Sequence, residues 1–283
     1  MTLELSTPAG TPISKFSFGT MQWGGKANAV DSRAMYDAAR SAGINFFDTA
    51  HGYTNGVSEQ LLGKFVKAER NQLFIATKCA STGDCSPEKI TKDVEESLRR
   101  LNMDCVDMLY MHRWSDEVPL EKTYEALAKM VDTGRVTRIG VSNYAAWQVM
   151  KAVRVAASLG LKIEMLQPMY NLVKRQAEVE ILPMCLSEKI AVAPYSPLGG
   201  GLLTGKYIDG TPDSTRTSLE NYKFIKGFEE GVLDFYSIKK NNISNSVLII
   251  DNFKVQEVPV LAKLLTLASL QGIADLLTGE GIR

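Results

Sequence analysis

Charge of either sign is not in excess: 32 Lys and Arg offset 32 Asp and Glu, so no broad electrostatic case exists for a nucleic acid or an anionic membrane as partner. Cysteine is sparse. The four residues Cys79, Cys85, Cys105 and Cys185 show neither a repeated C-x-x-C spacing nor the density of a disulfide-framed secreted scaffold. Cys79 adjoins Lys78, which leaves a packing thiol and a reactive one both open. Only two histidines are present, His51 and His112, and no H-x-x-x-H or Cys/His cluster argues for a metal. No apolar run reaches the roughly 18 to 20 residues of a membrane helix, and no basic, apolar, small-residue signal opens the sequence. The expected setting is the cytoplasm and the expected partner a small molecule.

What is present is alternation. Short β-rich runs occur at 16–20, 44–47, 73–77, 106–111, 138–141, 163–167, 190–193 and, less regularly, 247–250. Between them lie helical candidates near 32–42, 57–68, 87–100, 121–132, 145–159, 174–187 and 228–240, with another near 256–270. Strand then helix, about eight times, predicts an α/β fold of the (β/α)8 TIM-barrel type. We expect one domain over 1–283, with a divergent portion over 208–283 in which the final βα region is shortened or rearranged. Ser86-Pro87 offers an N-cap followed by proline at the first helical position. In 121–131, Tyr124, Leu127, Ala128 and Val131 recur at helical spacing for the buried face, while Glu121, Lys122, Glu125 and Lys129 stay wet. An open doubly wound sheet is the competing fold. It needs G-x-G-x-x-G after the first strand, whereas the chain reads Phe18-Gly-Thr-Met-Gln-Trp-Gly-Gly25 there.

Four chemically suitable residues follow three of the runs. Asp48 and Tyr53 come after 44–47, Lys78 after 73–77 and His112 after 106–111. On neighbouring parallel strands they meet at one rim, where barrel catalytic groups emerge. An ammonium beside Tyr53 is expected to favour phenolate and draw its proton affinity toward neutrality. Asp48 can pair with Lys78, and His112 can donate to a carbonyl oxygen or relay a proton. Each also has a plain structural reading, as a rim ion pair, loop packing or a core histidine.

The motifs Phe47-Asp-Thr-Ala-His-Gly-Tyr53, Ile75-Ala-Thr-Lys78, Leu109-Tyr-Met-His112, Ile139-Gly-Val-Ser-Asn143 and Pro194-Tyr-Ser-Pro-Leu-Gly-Gly-Gly-Leu-Leu-Thr-Gly-Lys-Tyr207 together resemble the aldo-keto reductase family, over roughly residues 13–207. The resemblance implies a (β/α)8 barrel that interconverts carbonyls and alcohols with a nicotinamide cofactor. By that resemblance Tyr53 is the proton donor in reduction, Asp48 and Lys78 tune it, and His112 orients or polarises the carbonyl. It assigns Ser142, Asn143 and Gln167 to the nicotinamide carboxamide and Tyr195 to its ring face. Gly19, Thr20 and Met21 form a candidate cofactor-side wall, and Ser196, Leu198 and Lys206 a candidate diphosphate loop. Trp23 and Trp114, with Tyr53, His112 and Met21, are candidate substrate walls.

Beyond residue 207 the sequence departs from the family pattern. The glycine-rich turn with a basic residue and the later Arg-x-x-x-Asn/Gln element are absent. Lys254 suits a 2′-phosphate, while Asp251 suits an unphosphorylated ribose, so NADPH is the first expectation and NADH the second. The apolar stripe of 261–270 fits cover for the barrel or a subunit contact, and oligomeric state stays open. Two other functions remain: a class I aldolase-like lyase with Lys78 as Schiff-base former, and a nucleotide-binding interaction barrel with little turnover.

Overall fold

The computed structural model describes residues 5–204, 232–240 and 243–251. The chain divides into two compact units, residues 1–199 and 200–283. The first unit holds seven strands, β1 (Ser17–Gly19), β2 (Phe46–Asp48), β3 (Phe74–Cys79), β4 (Met108–Met111), β5 (Ile139–Ser142), β6 (Ile163–Gln167) and β7 (Ala191–Val192). Six helices alternate with them: α1 (Ala29–Ser41), α2 (Val57–Val66), α3 (Pro87–Leu101), α4 (Leu120–Asp132), α5 (Ala146–Ser158) and α6 (Ile181–Glu188). The strands form one all-parallel sheet in sequence order, which is the barrel progression rather than the reordered progression of a doubly wound sheet.

Local chemistry sets the helix ends. The Asn28 side chain accepts from the backbone N–H groups of Val30 and Asp31 at the start of α1. Ser86 caps α3 by accepting from Lys89 N–H, Pro87 takes the first helical position, and Asn102 ends the helix in the left-handed region. In α4 the buried stripe is Thr123, Tyr124, Ala126, Leu127 and Met130. The expected members Ala128 and Val131 are only half-buried, so the helix is rotated toward Ala126 and Met130, while Glu121, Lys122, Glu125 and Lys129 are exposed as expected. α6 begins seven residues later than 174–187 predicts; a bridge between Asn171 and Lys174 and a 3-10 turn at Gln176–Glu178 occupy the intervening chain. Pro183 then sits in the first turn of α6, where its missing N–H breaks no helical bond.

Side chains alternate across the sheet with period two, and this positions the site. The larger core, including Phe47, Ile75, Leu109, Val141 and Leu166, fills the space between sheet and helices. The opposite face carries Phe46, Phe74, Ala76, Met108, Tyr110 and Met165, packed with Leu5 and Ile13. Continuing that second face two residues along each strand reaches Asp48, Lys78, His112 and Gln167. These polar residues therefore crown an apolar inner layer at the C-terminal end of the sheet.

Two expectations in the second unit are corrected. The helix expected over 228–240 is a strand over its described residues: β8 (Val232–Lys240) pairs antiparallel with β9 (Ile243–Asp251), in register from Val232 opposite Asp251 to Lys240 opposite Ile243. Residues 247–250 accordingly belong to a two-stranded ladder and not to an eighth parallel strand among the described residues. The composition of 232–238, rich in Val, Ile, Phe and Tyr, suits a strand, and the antiparallel partner at 243–251 decides for it over a helix. The helical candidate at 256–270 and the expected contacts Lys206 and Lys254 lie outside the described residues. No helix among the described residues is long and apolar enough to cross a membrane.

Candidate active site

The register fixes three neighbouring pairs. Gly19 lies opposite Asp48 and Lys78 opposite Tyr110, while Ser142 lies opposite Gln167. Asp48 lies opposite Ala76 on the adjacent strand, two residues before Lys78, and the long Lys78 side chain forms a buried ion pair with it. Lys78 Nζ donates in addition to the Thr49 carbonyl (2.8 Å) and to the Tyr53 hydroxyl (3.2 Å). The other Asp48 oxygen accepts from Gln167 Nε2 at 3.1 Å. Asp48 therefore receives two side-chain donors, a charged one from the adjacent strand β3 and a neutral one from β6.

Tyr53 enters from the loop after β2 and stands over Lys78, whose ammonium is 4.8 Å from its ring centroid. Its ring meets that of His112 edge-on, with centroids 5.9 Å apart. Asp48, Tyr53, Lys78 and His112 are therefore brought together.

The electrostatics of the four differ from the sequence expectation at one point. Burial raises the Tyr53 pKa above its ordinary value of 10.0, and the opposing pull of Lys78 does not cancel it. The expectation of a phenol drawn toward neutrality is corrected: desolvation of the phenolate outweighs the ammonium, so Tyr53 is protonated at neutral pH. For Lys78 burial works to lower the pKa, but the Asp48 carboxylate and Tyr53 together outweigh it and the net direction is upward. His112 is pushed down to about 4 by burial, then by the charges of Lys78 and Arg113, so its imidazole is neutral. Its Nδ1 is buried with no hydrogen-bond partner among the described residues.

A second polar group continues along the rim. Ser142 Oγ donates to the Gln167 carbonyl (2.9 Å), and Asn143 Nδ2 donates to the His112 carbonyl (3.0 Å) and to Ser142 Oγ (3.2 Å). The Tyr195 hydroxyl donates to Asn143 Oδ1 at 2.7 Å. Asn143 holds a left-handed backbone (φ 59), which asparagine tolerates better than most residues and which turns the chain out of β5. Asn143 is exposed and Tyr195 half-buried, so both face accessible space.

The remaining sequence candidates are dispersed. Thr20 is buried, its hydroxyl reaching the Asp48 carbonyl (3.2 Å) and Ser58 (2.7 Å), while Met21 is exposed. Ser196 is left-handed, and its carbonyl accepts from Asn171 Nδ2 (2.9 Å); Leu198 is exposed. Trp23 is 1 % exposed and packs on Phe18 and Phe65. Trp114 belongs to another aromatic group, with Tyr144 and Trp147, and its indole N–H donates to Asp116. His51 faces Asp93, 3.3 Å from Nε2 to the carboxylate. Cys79 is buried and its thiol pKa is raised by that burial, which favours the packing reading over the reactive one. No cluster of metal-ligating side chains occurs among the described residues.

Sequence reasoning missed two contributors. The Thr49 carbonyl completes the Lys78 contacts, and a backbone acceptor leaves no signature in residue type. Asn171 is buried and ties the β6 loop to the Ser196 carbonyl; its side chain also accepts from the N–H groups of Val173 and Lys174, a local turn that its residue type does advertise.

Residues 15–267 match the family described as "Aldo/keto reductase family". The chain belongs to that family, and its parallel strand–helix alternation is the corresponding (β/α)8 architecture, seen here through seven strands. It is similar to a probable voltage-gated potassium channel subunit beta of Oryza sativa subsp. japonica, 35 % identical over 228 residues, covering 76 % of this chain and 70 % of that protein. It is also similar to the aldo-keto reductase YhdN of Bacillus subtilis, 35 % identical over 207 residues, 69 % of this chain and 60 % of that one. A third relative is the aldo-keto reductase yakc [NADP(+)] of Schizosaccharomyces pombe, 32 % identical over 194 residues, with 65 % and 56 % covered.

Proposed function

We propose that this chain reduces a small aldehyde or ketone to an alcohol with a reduced nicotinamide cofactor, Tyr53 giving the proton. The observation that carries the proposal is the single ammonium of Lys78 held between Asp48 and the Tyr53 hydroxyl. Burial raises the Tyr53 pKa above an ordinary value that already keeps a phenol protonated at neutral pH, so it has a proton to give. As that proton moves to the carbonyl oxygen, negative charge develops on the phenol oxygen 3.2 Å from Lys78. The ammonium compensates charge that exists only late in the transfer, which is differential stabilisation of the transition state. Asp48 keeps Lys78 charged and fixed. His112 is neutral, so its one N–H can donate to the carbonyl oxygen without bringing a second full charge beside Lys78.

The donor set fits a nicotinamide. Asn143, exposed and offering amide oxygen and nitrogen, suits its carboxamide, with Ser142 and Gln167 behind it, and the half-buried Tyr195 ring suits its face. When bound, the reduced nicotinamide supplies the hydride. Met21, Ser196 and Leu198 would line the rest of the cofactor, whereas Thr20, fully buried against Asp48 and Ser58, would not. NADPH is the preferred form, consistent with the NADP(+) in the name of the fission-yeast relative, and NADH the alternative. Trp114 is assigned to the substrate side, whereas Trp23, 1 % exposed in the core beside Phe18 and Phe65, is not, and the setting is cytoplasmic.

Schiff-base chemistry at Lys78 is disfavoured, because the raised pKa keeps the amine protonated and non-nucleophilic at neutral pH. The similarity to potassium channel β subunits favours a second reading, a nucleotide-binding barrel that meets a partner and turns over little. A panel of aromatic aldehydes and small sugar-like carbonyls, assayed with NADPH and NADH, separates the two. Turnover with either supports the reductase; cofactor binding without turnover across the panel supports the interaction barrel.

A further inference from the structure

We infer that Glu59 and Arg100, an ion pair behind the sheet, are positioning residues that set the distance between Lys78 and Tyr53. The inference rests on the assignment of Tyr53 as proton donor. Thr77 precedes Lys78 in β3, so its side chain points to the opposite face from the catalytic ammonium. There Thr77 Oγ1 donates to Glu59 Oε1 at 2.6 Å. Glu59 lies on α2 and is 0 % exposed. Its second oxygen faces Arg100 Nη1, from α3, at 3.3 Å, and the same Nη1 donates to the His51 carbonyl at 2.9 Å. His51 N–H in turn donates to the Lys78 carbonyl at 3.0 Å. One guanidinium is thereby linked to the backbone two residues before Tyr53 and, through Glu59 and Thr77, to the strand that carries Lys78.

Arg100 also lies under the other end of the Tyr53 turn. Thr54 and Asn55 are left-handed (φ 47 and 54), and Gly56 follows at φ 89. Two consecutive non-glycine residues in this region need surrounding structure to hold them. A Cβ built on Gly56 would come within 2.4 Å of Arg100 Cζ, so the guanidinium fills the space that the glycine leaves. Arg100 therefore touches the chain on both sides of Tyr53. A pair acting for stability alone has no need to place its hydrogen bonds on the residues flanking the two catalytic groups.

The step it controls is the approach of the phenol to the ammonium and to the substrate oxygen, where a displacement of about 1 Å can cost on the order of 100-fold in rate. Two mild variants test it. Thr77→Val removes one hydrogen bond at constant shape, and Arg100→Lys keeps the charge on a side chain one bond shorter, which draws the donor back from the Nη1 position that serves both Glu59 and the His51 carbonyl. For each, we expect kcat for carbonyl reduction to fall about 10-fold or more, with KM, the NADPH dissociation constant and the folded fraction at assay temperature within about twofold of wild type. A readout independent of turnover is the ring-carbon resonance of labelled tyrosine that disappears in Tyr53→Phe; in both variants it should move toward that of free tyrosine. An unshifted resonance in both variants overturns the inference, as does kcat within twofold of wild type. If wild type shows no turnover in the carbonyl panel, the reductase reading fails, and the resonance alone decides the positioning claim.

Discussion

Replacing Asp48 with asparagine tests the arrangement at its most buried point. The Asp48 carboxylate faces two donors, Lys78 Nζ on one oxygen and Gln167 Nε2 on the other. An asparagine amide has one oxygen and one NH2 group, so whichever way it turns, one donor confronts another donor. Lys78 is 1 % exposed and loses its counter-charge. Removing one partner of a buried ion pair costs about 3–5 kcal/mol, because the remaining charge stays buried without compensation. The sign of the pH dependence follows. In wild type the folded-state pKa of Lys78 lies above 10.5, so its contribution is fully present at neutral pH and is lost only as pH rises through the folded value. In Asp48→Asn, burial without the carboxylate depresses that pKa below 10.5. The unfolded chain then binds the extra proton, and stability rises with pH between the depressed value and 10.5. Urea unfolding at pH 7 and pH 9 reads both effects. A loss below about 1 kcal/mol at pH 7, or a variant whose stability falls between pH 7 and pH 9, refutes the reasoning.

Other perturbations follow from the same geometry. His112, with its pKa lowered from 6.5 to about 4, disfavours protonation in the fold, so wild type loses stability as pH falls through that window, by roughly 3 kcal/mol at the end of it. His112→Gln should lose less over the same range by urea unfolding; an identical loss in both proteins contradicts a neutral His112. Gly63→Ala would place a Cβ 2.2 Å from the Leu101 carbonyl oxygen, a backbone atom that cannot swing aside, and should destabilise by about 1–3 kcal/mol in denaturant melts. Gly19→Ala meets no atom within 4 Å and should be close to neutral by the same measurement, which makes it the internal control.

The polar rim proposed as the active site was legible in the sequence because period two and parallel pairing leave little freedom. Once 44–47, 73–77 and 106–111 are adjacent strands, Asp48, Lys78 and His112 must emerge together. Local caps were equally readable: Ser86, Pro87 and Asn102 act where their chemistry predicts. What failed depended on tertiary context. The short apolar runs of 228–250 fit either a helix or strands, and the antiparallel partner that decides between them is a long-range fact. The direction of the Tyr53 shift turned on how deeply the ring is buried, which no spacing reveals. The Glu59–Arg100 link spans 41 residues and joins two helices whose facing sides the sequence does not pair. Trp23 was readable as a large apolar side chain, but its place in the Phe18 and Phe65 cluster required the packed core.

Single-turnover reduction of an aromatic aldehyde by Tyr53→Phe, measured beside NADPH binding, bears most directly on the central claim. The account predicts binding within a few-fold of wild type and a rate lower by about 10²–10⁴-fold, since the ring is kept and only the transferable proton is lost. A Tyr53→Phe protein that reduces the aldehyde at close to the wild-type rate would show that the proton comes from elsewhere.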